Sequence, residues 1–85
     1  MGRKPIMARE IYRIAQHLEA TGNHGSYPGN IKRAVGVKPT EIPKSQRDGI
    51  LFYSRGWGWR LRTHPHWKNV FAKRFPTTFA ELLDE

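Results

Sequence analysis

Cysteine is absent from this 85-residue chain. Disulfide bonds and thiolate zinc sites therefore cannot stabilise its fold, which has to depend on packing alone. Two separate cores would each approach the limit of ~40 residues below which chains usually need such a staple. We therefore expect a single domain over residues 6–85, in which many of the three Trp, three Tyr and four Phe side chains fill one core.

Acidic residues are few, since seven Asp and Glu stand against fifteen Lys and Arg and leave a net charge of +8. Such an excess in a small domain attracts polyanions, among which nucleic acid is the leading class. The charge is unevenly distributed, because positions 75–85 carry three of the acids and none of the bases. We expect this C-terminal segment to face away from a bound polyanion.

Long apolar runs are also missing. No stretch approaches the ~20 apolar residues of a membrane helix, and the N-terminal residues lack the apolar region of a signal peptide. We expect a cytoplasmic, nucleoid-associated protein with no membrane partner.

The familiar catalytic motifs are missing as well. The chain has no cysteine nucleophile, no Gly-x-Ser-x-Gly and no phosphate-binding loop that ends in Lys-Ser or Lys-Thr. A metal ion shared by His24, His64 and His66 would have no acidic ligand close by in the sequence. We therefore expect no enzyme activity, no cofactor and no metal site.

Hydrophobic periodicity predicts two helices in the N-terminal half. Residues 1–5 are basic, end in proline and are interpreted as a flexible arm. Apolar residues recur at helical spacing from Ile6 to Ala20, which predicts the first helix. The second fits Pro28 to Val35, with proline near its start and Gly36 just past its end.

A short third helix is predicted over residues 41–48. Thr40 would cap its N-terminus, and Gly49 would end it. Pro39 and Pro43 restrict this helix to barely two turns, because proline is tolerated only in the first turn.

A change to a two-residue period over residues 50–62 predicts a β-hairpin. One face of its second strand carries Trp57, Trp59 and Leu61. Burial is expected for Trp59, whereas Trp57 lies beside the turn and is left undecided.

The length of the hairpin loop sets the register of the strands. A three-residue loop at 54–56 would place Leu51 and Tyr53 on the tryptophan face. A two-residue loop would place Ile50 and Phe52 there instead. The sequence leaves both registers open.

Two helices are predicted after the hairpin. Residues 64–75 form the first, with Trp67 and Phe71 turned inward. A capping box from Thr78 to Glu81 would open the second. Three apolar residues of this last helix either complete the core or form a contact between two copies: Phe79, Leu82 and Leu83. Monomer and homodimer are therefore both compatible with the sequence.

Residues 31–61 resemble part of a known family. The segment runs from a small-residue helix end, at residues 34–37, to the motif "RGWGWRL" at residues 55–61. That motif is similar to the wing of winged helix-turn-helix DNA-binding domains, which often reads Arg-Gly-x-Gly-aromatic-x-Leu. The resemblance implies that residues 44–47 lie on a recognition helix and that Arg55 lies at a wing tip, near a minor groove.

The sequence thus predicts a small α+β, winged-helix-like domain in which helices pack with a two-stranded hairpin wing and a C-terminal helix. Candidate nucleic-acid contacts lie on the turn, the third helix and the hairpin. Phosphates would be met by Lys32, Arg33, Lys38, Lys44, Arg47, Arg55, Arg60 and Arg62. Ser45 and Gln46 are candidates for base edges, and Trp57 is a candidate for stacking.

We predict that the protein binds double-stranded DNA, as a transcriptional or architectural regulator. Two alternatives fit the same residues. A small phage-type inhibitor would use the basic aromatic surface to bind a host or defence protein. A single-strand binder would stack unpaired bases on the tryptophans of the hairpin.

Overall fold

Helix α1, Ala8–Ala20, lies at the centre of the fold and begins slightly later than the predicted Ile6. The structure is a computed structural model that describes residues 6–85, so the predicted arm at residues 1–5 lies outside it. The inward face of α1 has residues spaced by three and four positions that are fully buried: Ile11, Ile14 and Leu18. The first predicted helix is therefore confirmed.

Helix α2, Pro28–Val35, has the predicted bounds. Gly36 follows with a φ of 95°, the left-handed conformation that ends many helices. Ile31 is fully buried and joins α2 to the core that it shares with α1.

A proline splits the predicted third helix in two. Pro39–Glu41 forms a 3-10 turn, and helix α3 covers only Lys44–Arg47. Between them Ile42 has a ψ of 133°, the extended value that a following proline favours. Thr40 lies inside the 3-10 turn and does not cap α3. The prediction of one helix over residues 41–48 was therefore wrong.

The hairpin consists of β1, Leu51–Ser54, and β2, Gly58–Leu61, which pair antiparallel with Tyr53 opposite Trp59. Leu51 and Tyr53 share the face of Trp59, as the three-residue-loop alternative places them, although the strand pairs differ from those of a loop at 54–56. Trp59 is 4% exposed, so its predicted burial is confirmed.

The hairpin loop has three residues, 55–57, and lies one residue later than the three-residue alternative at 54–56. The N–H of Trp57 donates to the carbonyl of Ser54 at 3.0 Å, and Gly56 has a φ of 86°. Trp57 therefore belongs to the turn and not to the strand. Its side chain is 62% exposed.

The loop between α1 and α2 covers the outer edge of β2. The N–H of Trp59 donates to the Ser26 carbonyl at 2.7 Å, and the N–H of Ser26 donates back to the Trp59 carbonyl at 3.0 Å. Asn23 repeats this exchange with its side chain, since Oδ1 accepts from the Leu61 N–H at 2.7 Å and Nδ2 donates to the Leu61 carbonyl at 3.3 Å. The loop thus pairs with β2 much as a third strand would.

Two glycines permit this approach. A Cβ on Gly25, whose φ is +110°, would lie 2.1 Å from the carbonyl oxygen of Trp57. A Cβ on Gly58, whose φ is +87°, would lie 2.4 Å from the carbonyl oxygen of Ser26. Neither position tolerates a side chain while the two backbones remain this close.

Helices α4, Trp67–Arg74, and α5, Pro76–Leu83, complete the fold. Trp67 is fully buried, and the ring of Tyr12 lies edge-on to it with a centroid distance of 5.2 Å. Helix α5 begins with its proline, a residue suited to the first helical turn, so Thr78 lies inside the helix. The predicted capping box was therefore wrong.

One hydrophobic cluster joins α1, α2, the hairpin and α4. Residues 6–85 form an α+β domain with five α-helices and a two-stranded antiparallel hairpin in a winged-helix-like arrangement. The predicted fold class is confirmed. Across residues 6–85, no helix combines the length and the apolar character that crossing a membrane requires.

The loop contact predicts different costs for two glycines with nearly the same positive φ. Gly56 has a φ of +86° and open space at its Cβ position, so G56A should cost about 1 kcal/mol of strain. G58A adds the collision with Ser26 and should cost more than about 3 kcal/mol. Denaturant unfolding of both variants measures the difference. Equal costs would show that the loop contact does not require glycine.

Candidate nucleic-acid interface

Both half-buried side chains of α3 have structural partners. Gln46 accepts a hydrogen bond from the backbone N–H of Met7 through Oε1, at 2.8 Å. Arg47 donates from Nε to the Ile42 carbonyl at 3.2 Å, and its guanidinium lies 5.0 Å from the centre of the Trp59 ring. Because α3 is a single turn, these contacts fix its orientation against α1 and the hairpin.

Arg74 of α4 holds the other end of α3. Its guanidinium donates to the backbone carbonyls of Ser45 and Asp48. The last carbonyls of a helix have no partner within the helix, and a basic side chain satisfies them well. Arg74 thus gives hydrogen bonds to carbonyls of α3 that a further turn of helix would otherwise satisfy.

The remaining residues of α3 point to solvent. Lys44 and Ser45 are exposed, and the Lys44 ammonium has no ion-pair partner within residues 6–85. The oxygen of Gln46, a candidate for a base edge, is already bonded to the N–H of Met7, the residue before α1. The predicted recognition helix is therefore one turn that presents two side chains.

Three predicted cations meet around a shallow depression between α3 and β1. Lys44, Arg47 and Arg62 line this depression, whose volume is about 450 Å³. Asp48 is the one acidic residue that lines it. The depression is therefore a site of net positive charge.

A second group of predicted cations surrounds Glu41 on the 3-10 turn. The carboxylate accepts the backbone N–H of Lys38 at 2.6 Å and lies 3.6 Å from the ammonium of Lys32. The hydrogen bond from the Lys38 backbone and the charge of Lys32 lower the pKa of Glu41. Glu41 thus offsets part of the charge here, whereas Arg33 on α2 is exposed with no hydrogen bond or ion pair within residues 6–85.

The turn of the hairpin, residues 55–57, is the wing tip of this domain and combines charge with aromatic surface. Arg55 and Trp57 are both exposed. Tyr27, which precedes α2, donates its hydroxyl hydrogen bond to the carbonyl of Gly56 at 3.0 Å and is itself 53% exposed. The wing tip is therefore linked to the start of α2 and presents two aromatic side chains.

The two arginines of the outer hairpin face differ in availability. Arg60 is half-buried and donates from Nε to the backbone carbonyl of Asn23 at 3.1 Å. This side chain, a predicted nucleic-acid contact, is therefore turned toward the loop. Arg62 is exposed, and its guanidinium lies 5.9 Å from the Phe52 ring centre. The alternation of residues in the sequence predicts the face of the hairpin on which both arginines lie. It does not predict that their surroundings differ.

The acidic C-terminal helix neutralises a cation of α1. Arg9 pairs with Glu85 and lies 3.6 Å from Glu81. The hydrogen bond and the charge of Glu85 raise the pKa of Arg9 above its usual value. Arg9 is therefore compensated within the domain, unlike Lys44 or Arg55.

Two residues at this surface have no sequence signal that predicts their role. Tyr27 and Arg74 acquire their positions from partners at least 26 residues away. No local rule connects them. Their contribution follows only from the fold.

Within the described part of the chain, no three His, Asp or Glu side chains come together as a metal site would require. The chain matches no protein-family model, no curated protein and no solved structure. The likeness to winged helix-turn-helix domains stays a prediction.

The contact from α4 predicts that the stability of α3 depends on Arg74. R74Q should lower the free energy of local unfolding of α3 by about 1 kcal/mol. Amide exchange at residues 46–48 should then be about fivefold faster. K73Q removes the same charge from an exposed neighbour with no hydrogen bond or ion pair within residues 6–85, and should leave that exchange unchanged. Hydrogen exchange measured by NMR tests both. Equal exchange in R74Q and the parent protein would contradict the role.

Proposed function

We propose that this protein binds nucleic acid, with double-stranded DNA as its principal partner. The observation that supports this is the group of cations around the depression and on the wing tip, which few acidic residues offset. A duplex presents phosphates on both sides of each groove, and several cations on one surface match that arrangement. Lys44, Arg47 and Arg62 would meet one part of the backbone and Arg55 another.

The proposed binding depends mainly on phosphate contacts. A single-turn α3 offers Lys44, Ser45 and the terminal N–H groups of Arg47 to the partner, since Gln46 Oε1 and Arg47 Nε are already hydrogen-bonded inside the domain. Base-edge readout needs several side chains from one element in the major groove. We therefore expect modest sequence preference and a large electrostatic contribution to affinity.

Duplex binding should fall steeply with salt. Each phosphate contact contributes a slope of about −0.9 to a plot of log K against log salt concentration. The double variant K44Q/R55Q should lower the magnitude of that slope by about 2, and K73Q, which removes an exposed charge from α4, should leave it nearly unchanged. Fluorescence anisotropy with a labelled duplex over a salt series measures both. Affinity that is insensitive to salt would remove the basis of the proposal.

Binding of single strands is a second candidate, because one specific observation favours it. All three tryptophans lie in residues 6–85, and Trp57 is 62% exposed whereas Trp59 and Trp67 are 4% and 0% exposed. An exposed ring beside a free arginine is the arrangement on which an unpaired base stacks. Arg55 supplies that neighbouring charge.

Tryptophan fluorescence separates the two candidates, since stacking would quench the signal of Trp57 alone. If single strands are the partner, a short oligothymidine should quench the emission, and W57F should abolish the quenching and weaken binding by about fivefold or more. If duplex DNA is the partner, the duplex should bind W57F and the parent protein almost equally. W57F is a fair variant because the exposed ring has no core contact to lose.

A further inference from the structure

The depression between α3 and β1 has a second chemical character besides its charge. The residues that line it include three aromatic ones, Phe52, Tyr53 and Trp59, as well as Lys44, Arg47 and Arg62. At about 450 Å³ it lies within the range of small-molecule sites in proteins. Cations and aromatic rings in one depression suit a ligand that is both anionic and planar.

Arg47 is held in place before any ligand arrives. Its Nε donates to the Ile42 carbonyl, and the guanidinium lies over the Trp59 ring. Its terminal N–H groups make no hydrogen bond within residues 6–85 and are free to donate to an anion. A guanidinium that is already oriented loses little entropy when it binds phosphate.

Tyr53 offers a stacking surface at the same place. It is 54% exposed, and its ring lies edge-on to Trp59 with a centroid distance of 5.7 Å. The Tyr53 ring therefore packs against the buried Trp59 and still has about half of its surface open to solvent. Stacking of a base on such a ring is tolerant of base identity.

The edge of β1 adds hydrogen-bonding groups. The outward N–H and C=O of Trp59 are bonded to Ser26 on the far edge of β2. Backbone groups alternate between the two sides of a strand, so Leu51 and Tyr53 direct theirs away from β2. Among residues 6–85 no further strand pairs with β1. These groups can meet the polar edge of a planar ligand.

From these features we infer that the depression is a site for one unpaired nucleotide. The phosphate binds Arg47, Lys44 and Arg62, and the base stacks on Tyr53 beside the backbone edge of β1. The inference rests on the proposed nucleic-acid binding and names the ligand of one part of that surface. An extended acidic peptide fits less well, because the edge of β1 offers the backbone groups of only two residues. Such a peptide also has no planar group to stack on the exposed Tyr53 ring.

The test is an amide-shift NMR titration of the full chain with thymidine 5′-monophosphate. The nucleotide should shift amides within residues 44–53 and bind at least about fivefold more tightly than inorganic phosphate or uncharged thymidine, because phosphate and base are both used. Inorganic phosphate that binds as tightly as the nucleotide, or shifts confined to other residues, would overturn the inference. So would octaglutamate that shifts the β1 amides when the nucleotide does not.

A short oligothymidine distinguishes a nucleotide within a strand from a free one. Tighter binding of the oligonucleotide at the same amides assigns the site to strands, and equal binding assigns it to free nucleotides. Either result supports the site. Duplex affinity that is absent at low salt or insensitive to salt, with nucleotide shifts retained, would remove the proposed function and leave this site. Salt-sensitive duplex binding without nucleotide shifts would remove this site alone.

Variants separate the base from the phosphate. Y53L should weaken the mononucleotide about fivefold and leave inorganic phosphate unaffected, whereas R62Q should weaken both. D48N removes the negative charge of Asp48 from the depression and should strengthen the binding of both ligands about twofold. K73Q on α4 is the matched control and should change neither. Since Arg62 and Asp48 are exposed, R62Q and D48N keep the test valid if Y53L perturbs the packing against Trp59.

Discussion

The close approach between the α1–α2 loop and β2 holds the hairpin against the helices. A two-stranded hairpin is marginal by itself, because each strand has an unpaired edge. Here backbone bonds from Ser26 and the amide of Asn23 close the outer edge of β2. Glycines at 25 and 58 leave the room for this contact. The contact fixes the base of the hairpin against α1 and α2, and the wing tip projects from that fixed base.

Local sequence rules succeeded where start and end signals do not compete. The bounds of α2 follow from a proline at its start and Gly36 at its end. Two competing signals produced the errors, since Thr78 suggested a helix start that Pro76 had already supplied. Pro43 similarly overrode the cap expected at Thr40 by holding Ile42 extended. In both cases proline decided, because its ring fixes φ and removes the backbone N–H.

The candidate site was less predictable, because distant contacts decide which polar side chains are left for a partner. Gln46 is bonded to a backbone N–H 39 positions away, and Arg60 is bonded to a carbonyl 37 positions away. Alternation correctly placed Arg60 on the face opposite Trp59, yet it carries no information about that bond. The exposure of Trp57 depends on a one-residue shift of the turn, which a period of two cannot detect.

The way in which α3 is held has a consequence for what the surface can recognise. A helix of one turn has four side chains, and here two of them anchor it to α1 and to Trp59. The anchoring removes readers of base edges and at the same time immobilises the guanidinium of Arg47. Under the proposed function, cations that are already held rigidly lose little entropy on binding, and this raises the affinity. Discrimination between partners then depends on the shape of the surface. The depression and the wing tip each give this surface a distinct local shape. Each combines an arginine with an exposed aromatic ring, Tyr53 in the depression and Trp57 at the wing tip. A partner with splayed bases would engage both features, whereas a regular duplex would engage mainly the charges.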